Sequence, residues 1–227
     1  MTSKRPAAGA RPSTDDLIAS LTADVPPVRR IWSTGRRLAA WTGALALILA
    51  LAVVAIGVRA DLPVRLGDAS FVVQLLALLA VSLTSAALAL RASVPGEEPP
   101  VRLGAVLMLV ATAGLALAYG RDPATGARGS DFVAAGWPCA VATVLIAALP
   151  LVLLAGALRR AAPLVPKVAG LLAGGAAFFA AAAALQLVCP HDERWHLLVW
   201  HLGPVALGLV TSAALGGIWL SRWRHAA

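Results

Sequence analysis

Six stretches of about twenty almost uninterrupted apolar residues dominate this chain, and no other feature constrains its fold as strongly. They cover residues 38–58, 70–90, 101–119, 133–158, 164–188 and 197–220. A helix needs about 20 apolar residues to cross a hydrocarbon core of ~30 Å, and every backbone group in lipid must be satisfied inside a helix or a closed barrel. These stretches are too long and too uniformly apolar for barrel strands. Charges or breakers bound each of them. Arg59, Asp61 and Pro63 follow the first, residues 91–100 (RASVPGEEPP) the second, and Arg121-Asp122-Pro123 the third. Arg159-Arg160 with Pro163 and Pro166 follow the fourth, and Pro190 to Arg194 the fifth. The expected fold is all-α: a polytopic bundle of six transmembrane helices over residues 38–220, between an arm of residues 1–37 and a tail of residues 221–227. Only 13% of the residues are charged, against about 25% in soluble domains, which agrees with lipid as the solvent.

Orientation follows from the basic residues. With the N-terminus inside, the cytoplasmic segments hold fourteen of the nineteen Lys and Arg residues and the opposite loops hold five. The excess predicts both termini in the cytoplasm and a multi-pass protein of the inner membrane. The net charge of +8 raises the question of nucleic acid. Yet Arg29, Arg30, Arg36 and Arg37 sit just before an apolar run, where such residues set topology and meet anionic head groups. No basic segment forms a recognition element, so no direct nucleic-acid contact is expected. Trp32, Trp41, Trp137, Trp195, Trp200, Trp219 and Trp223 fall near span ends, as an interfacial aromatic belt would. A long polar arm before the first span and the lack of a small-x-small cleavage site argue against a cleaved signal peptide.

The spans carry almost nothing ionisable. His201, about one turn inside the last, is the main exception, and Gln74 and Gln186 are merely polar. Transporters and pumps keep intramembrane charges along their ion and proton pathways, so this scarcity counts against transport. Gly170 and Gly174 form a small-xxx-small pair in the fifth span, extended by Gly208, Ser212 and Gly216 in the sixth. Such faces support close helix packing or a homodimer.

Residues 1–12 are rich in Pro, Ala and basic residues and read as disordered. Ser13 or Thr14 can then cap a short helix, with Asp15 and Asp16 at its dipole-positive end. Leu17, Ile18, Leu21 and Val25 share one stripe, and Pro26-Pro27 stops the helix. A helix of three turns is marginal alone in water, so its stripe needs a partner. That partner is either the bilayer surface and the protein's own loops or a groove on a cytoplasmic protein. The acidic start fits anionic lipid poorly and tilts the balance toward protein.

Two cysteines, Cys139 and Cys189, exclude a disulfide-dense scaffold and a four-cysteine zinc site. Cys139 opens the fourth span and Cys189 closes the fifth, so one helical hairpin returns them to the same membrane face, periplasmic by the charge count and open to oxidation. Cys139, read as lying in the first turn after Pro138, should have its thiolate favoured by the helix dipole; Cys189, at a helix C-terminus, should not. Three readings stay open: a redox- or metal-responsive pair, a static disulfide, and plain buried thiols. His191, His196 and His201 follow closely, but their spacing matches no closed structural zinc site. An interfacial structural role is expected for them ahead of ligation, with His191 as the weak candidate ligand. No resident cofactor is expected; a heavy-metal ion is a candidate signal.

The arm Thr14-Asp15-Asp16-Leu17-Ile18-x-x-Leu21-x-x-Asp24-x-Pro26-Pro27-Val28-Arg29 resembles the opening of the NrsF family, the negative regulators of sigma F. So do Gly136-x-x-Cys139 followed by Pro150, Leu158-Arg159-Arg160-x-x-Pro163, and Cys189-Pro190 with Trp200-His201 downstream. A basic extension before the motif and the charged run His191-Asp192-Glu193-Arg194-Trp195 depart from the pattern. The resemblance implies an integral-membrane anti-sigma factor that holds an extracytoplasmic-function sigma factor on the cytoplasmic face. It implies that residues 14–29 carry partner contact, through Asp15, Asp16, Leu17, Ile18, Leu21, Asp24, Val25, Pro26, Pro27, Val28 and Arg29. It also implies that Cys139 and Cys189 sense heavy metal or oxidation. No zinc-binding His-x-x-x-Cys-x-x-Cys stretch stands in the arm. No enzymatic activity is expected. The competing readings are a periplasm-facing thiol oxidoreductase, which would ordinarily need more than one cysteine pair, a small-molecule transporter, and a purely structural membrane protein.

Overall fold

The computed structural model describes residues 13–23, 31–94, 96–97, 101–120, 130–161 and 163–221. Two compact units divide the chain, residues 1–31 and 32–227.

In the first unit, α1 (Thr14–Ala23) forms where the acidic start led one to expect it. Ser13 is the cap: the Asp16 backbone N–H donates to its Oγ at 3.1 Å, and Ser13 N–H and Oγ–H both donate back to the Asp16 carboxylate at 3.2 and 2.7 Å. This reciprocal box satisfies orphan donors of the first turn. Leu17, Ile18 and Leu21 are exposed. Asp24, Val25, Pro26, Pro27, Val28 and Arg29 lie outside the described residues.

The second unit contains α2 (Thr34–Ile56), the short α3 (Leu62–Arg65), α4 (Ala69–Arg91), α5 (Val101–Tyr119), α6 (Ser130–Arg159), α7 (Pro166–Val188), the short α8 (Arg194–His196), a π-helical turn at Leu197–Leu202, and α9 (Gly203–Trp219). Every regular element among the described residues is helical, and six helices are long and apolar enough to cross a membrane. Leu47, Val54, Leu109, Leu145 and Val210 lie exposed on the outer faces. A soluble monomer rarely exposes so much contiguous apolar surface; a lipid-facing bundle must. The chain is a polytopic all-α membrane protein.

Local chemistry sets the ends. Gly57, at φ +98°, closes α2 in a conformation that side chains resist. Asp68 caps α4, accepting from the Ser70 N–H at 2.9 Å. Pro166 opens α7, and Cys189 leaves it with ψ 122°, because the residue before a proline (here Pro190) is driven out of the helical region.

Packing centres on α7. It lies against α2, α4, α5, α6 and α9, and 89% of its most apolar stretch is buried, against 11% for α2. It is the core of the bundle, and its residues are small because neighbours surround it. A Cβ on Gly170 would meet the Ser212 carbonyl and lie 2.8 Å from the Gly216 Cα, and one on Gly174 would lie 2.6 Å from the Ser212 Cβ. The small faces of the fifth and sixth spans, considered above for a homodimer, are therefore turned on each other inside one chain. Close approach is what lets α7 and α9 gain dispersion contacts in lipid.

Two other expectations shift. Trp41, placed in the interfacial belt, is only 6% exposed and donates its indole N–H to the Pro150 carbonyl at 3.0 Å. Arg37, read as a topology charge, is buried. Its guanidinium donates to the Ala157 carbonyl at 2.8 Å and to Ser93 Oγ at 3.3 Å, tying the start of α2 to the ends of α4 and α6. A guanidinium taken from water needs such acceptors. Trp32, Trp137, Trp195 and Trp219 are exposed as an interfacial belt requires.

Candidate functional site

Cys139 and Cys189 meet at the end of the bundle where α2, α5 and α7 finish, and their sulfurs are 3.5 Å apart as free thiols. Cys189 is buried and Cys139 half-buried. One physical expectation about Cys139 fails. The helix begins at Ser130 and runs through Pro138, so Cys139 lies more than two turns inside α6 rather than in its first turn. The dipole acts within the first turn only, and it gives this thiolate no special support. Pro138 cannot donate to the ladder, yet the helix runs on through it. For Cys189, the contact with Cys139 pushes the thiol up, and burial adds to the shift.

Two histidines join the sulfurs. His196 Nε2 lies 3.4 Å from the Cys189 sulfur, and one donor atom from each of Cys139, Cys189, His196 and His201 lies within 4.8 Å of the other three. Both imidazoles are buried, and neither ring nitrogen of His201 has a hydrogen-bond partner among the described residues. His191 is outside this group. Its ring packs on His196 with centroids 4.8 Å apart, while its Nδ1 stands 3.8 Å from the Glu193 carboxylate.

Spacing concealed this arrangement. Positions 196 and 201 are five apart, which on an α-helix puts them about 140° around the axis from each other. The π-turn 197–202 narrows that separation, because its hydrogen bonds join residues five apart and bring them toward one side. Pro204 favours it. Pro204 has no N–H, and its ring would clash with the Trp200 carbonyl in an α-helix. The turn widens, and the Gly203 N–H donates to Leu198 O, five residues back. Gly136 completes the fit, since any Cβ there would collide with the Trp200 indole.

A ring of charges holds the loop that carries these residues. Arg59, with a side chain 1% exposed, donates bidentately to Asp61 (2.6 and 2.9 Å) and to Asp192 (3.1 and 2.7 Å). Arg65 pairs with the same two carboxylates, closing a neutral clasp of two cations and two anions. The Arg59 N–H also donates to the Leu187 carbonyl at 3.0 Å. Nothing in the sequence singled out this clasp, because Arg59 and Asp192 are 133 residues apart. The hydrogen bonds from Arg59 hold Asp61 down to about 2 and raise the guanidinium in turn. An unpaired Asp titrates at about 4. The pairing of Asp61 is therefore complete above about pH 4 and is lost as pH falls through about 2. Carboxyl NMR in detergent should find Asp61 titrating near 2, and in Arg59→Met moving up toward about 4. An Asp61 that titrates near 4 in the native chain would contradict the clasp.

Beside it lies a cavity of about 60 Å³, whose walls include Asp68, Ser70, Gln74, Gln186, Cys189 and His201. It joins exposed polar residues to the buried sulfur and imidazole. Gln186 donates to Gln74 at 3.3 Å.

Fold and site together define a polytopic helical membrane protein with a buried thiol–imidazole cluster at one end of its bundle. The family model for NrsF, the negative regulator of sigma F, matches residues 21–223, and the chain belongs to that family. Residues 14–20 lie outside the matched stretch. The carotenogenesis protein CarR of Myxococcus xanthus is 33% identical over 193 residues, covering 82% of this chain and 80% of that protein. No solved structure matches the chain. Family membership gives the protein an anti-sigma role, with a sigma factor as its partner.

Proposed function

We propose that this protein is a membrane-bound anti-sigma factor that sequesters an extracytoplasmic-function sigma factor and releases it when metal or oxidant acts at Cys139 and Cys189. The sigma factor docks on the arm, through Asp15, Asp16, Leu17, Ile18, Leu21, Asp24, Val25, Pro26, Pro27, Val28 and Arg29. Both termini lie in the cytoplasm and the sulfurs on the periplasmic side of a bacterial inner membrane, as the fourteen-to-five distribution of Lys and Arg supports. No step of this function is enzymatic. The observation that carries the signalling half is the 3.5 Å between the sulfurs, from which a disulfide of about 2.05 Å needs only a small shift of α6 against α7. α7 packs against five other helices, so a shift at its end is felt across the bundle. The docking half is supported by a capped helix that exposes Leu17, Ile18 and Leu21, an apolar stripe suited to a groove.

Deletion of residues 14–27 is expected to abolish retention of the sigma factor at the membrane while the bundle still inserts at its normal level. Fractionation of cells carrying a tagged sigma factor measures both. Full retention by the deleted protein would remove the arm from the model. Cys139→Ser and Cys189→Ser are expected to retain the sigma factor but to lose its release by metal and oxidant.

A further inference from the structure

We propose that Cys139, Cys189, His196 and His201 form a closed four-donor site for a soft-to-borderline divalent cation, of the class of Zn(II) and Cd(II). The proposal deepens the signal site described above and depends on that reading for its purpose, though not for its geometry.

Edge lengths come first. Metal–sulfur bonds of about 2.3 Å and metal–nitrogen bonds of about 2.1 Å, set tetrahedrally, put neighbouring donors roughly 3.4–3.8 Å apart. The two sulfurs are 3.5 Å apart, and Cys189 Sγ is 3.4 Å from His196 Nε2. All four donor atoms already fall within 4.8 Å of one another, so no edge has to close by more than about 1.4 Å.

Polar accounting comes second. His201 is 1% exposed, lines the cavity, and has no hydrogen-bond partner for either ring nitrogen among the described residues. A buried imidazole with nothing to bond is costly, and a metal ion supplies a partner for one of its two nitrogens. The π-turn that brings it round to His196 is a distortion of the kind that gathers at functional sites.

Charge selects the ion. Two thiolates and two neutral imidazoles carry a charge of minus two, so a divalent cation leaves the buried site neutral, whereas a monovalent ion leaves an uncompensated anion. No carboxylate belongs to the set, and Asp192, nearby in the same loop, is engaged by Arg59 and Arg65. Sulfur and imidazole donors without oxygen disfavour Mg(II) and Ca(II). The cavity that joins exposed Asp68 and Ser70 to Cys189 and His201 offers a polar route inward.

Full-length protein purified in detergent with a non-thiol reductant is titrated with Co(II), whose thiolate charge-transfer and tetrahedral d–d bands report the donors directly. One Co(II) per chain is expected, with two sulfurs and two nitrogens by X-ray absorption, displaced by Zn(II) and by Cd(II). His196→Gln and His201→Gln should each weaken binding by more than about 100-fold, the upper range for losing even an outer-shell partner. The spectrum of the native protein tests the ligand set even where a variant folds poorly. An octahedral spectrum without sulfur charge transfer, uptake of Cu(I) alone, or unchanged affinity in the histidine double variant would overturn the site. Sigma-factor capture by the same metal-free preparations is read separately, so failure of the metal site and failure of the anti-sigma reading are told apart.

Discussion

Gly170→Leu is expected to leave the bundle unable to close, with the protein lost from the membrane or recovered only as aggregate. The reason is that the obstacle is backbone. A Cβ at this position would run into the Ser212 carbonyl and stand 2.8 Å from the Gly216 Cα, and neither atom can rotate aside as a side-chain tip would. Overpacking a core costs about 1–3 kcal/mol when side chains can adjust, and more when helix axes must separate. Separation here would spread along α7, whose residues 169–186, almost all of them Ala, Gly, Leu or Phe, are buried nearly without interruption. A cost above about 3 kcal/mol is expected on that ground. Gly156→Leu is the control, because a Cβ on Gly156 meets nothing within 4 Å. Exposed in the last turn of α6, it should be neutral or slightly stabilising, since Leu is the better helix former. Size-exclusion profiles and thermal aggregation in detergent measure both variants. A monodisperse Gly170→Leu protein as heat-resistant as the native chain would mean that the α7–α9 seam is not as described.

Arg59→Met should have the second largest effect, and a local one. Breaking a fully buried ion pair costs about 3–5 kcal/mol; here Asp61 and Asp192 keep 45% and 33% of their side chains exposed and can rehydrate, so the loss is smaller than that. The Arg59 N–H bond to Leu187 survives the substitution, and the end of α7 stays in place. What is released is the 189–196 loop, where Cys189 and His196 sit. Hydrogen exchange across this loop and alkylation of Cys189 should accelerate, while α2 and α4 keep their protection. Arg59→Lys should restore little, because an ammonium cannot donate in parallel pairs to two carboxylates as the guanidinium does. Native-like alkylation in both variants would show that the clasp does not hold the loop.

The features written along the chain were those that need no partner from far away. Six apolar runs of spanning length imply six helices because lipid leaves the backbone no alternative, and the expected span 101–119 coincides with α5. The start of α1 is local, and so the sequence narrowed its cap to Ser13 or Thr14; the bond with Asp16 that selects Ser13 came from the structure. That a helical hairpin returns Cys139 and Cys189 to one face follows from connectivity alone. The motifs Gly136-x-x-Cys139, Cys189-Pro190 and Trp200-His201 carried the family likeness through their order and spacing; the fold brings them together, with Trp200 over Gly136 and His201 beside the sulfurs.

Three-dimensional packing decided the rest. Whether Gly170 and Ser212 face each other or a second chain is not a property of either helix, and Trp41 is core or belt according to where α6 lies. The π-turn shows the limit most plainly. Pro204 announces a disturbance, but whether a helix answers a proline by kinking, breaking or widening depends on its neighbours, and widening brings His196 and His201 toward one side. Residue order specified helices, ends and membrane, because those follow from short-range sterics and from solvation. Close side-chain contact between distant segments made the cluster and the clasp, and only assembly of the bundle brings those segments into range.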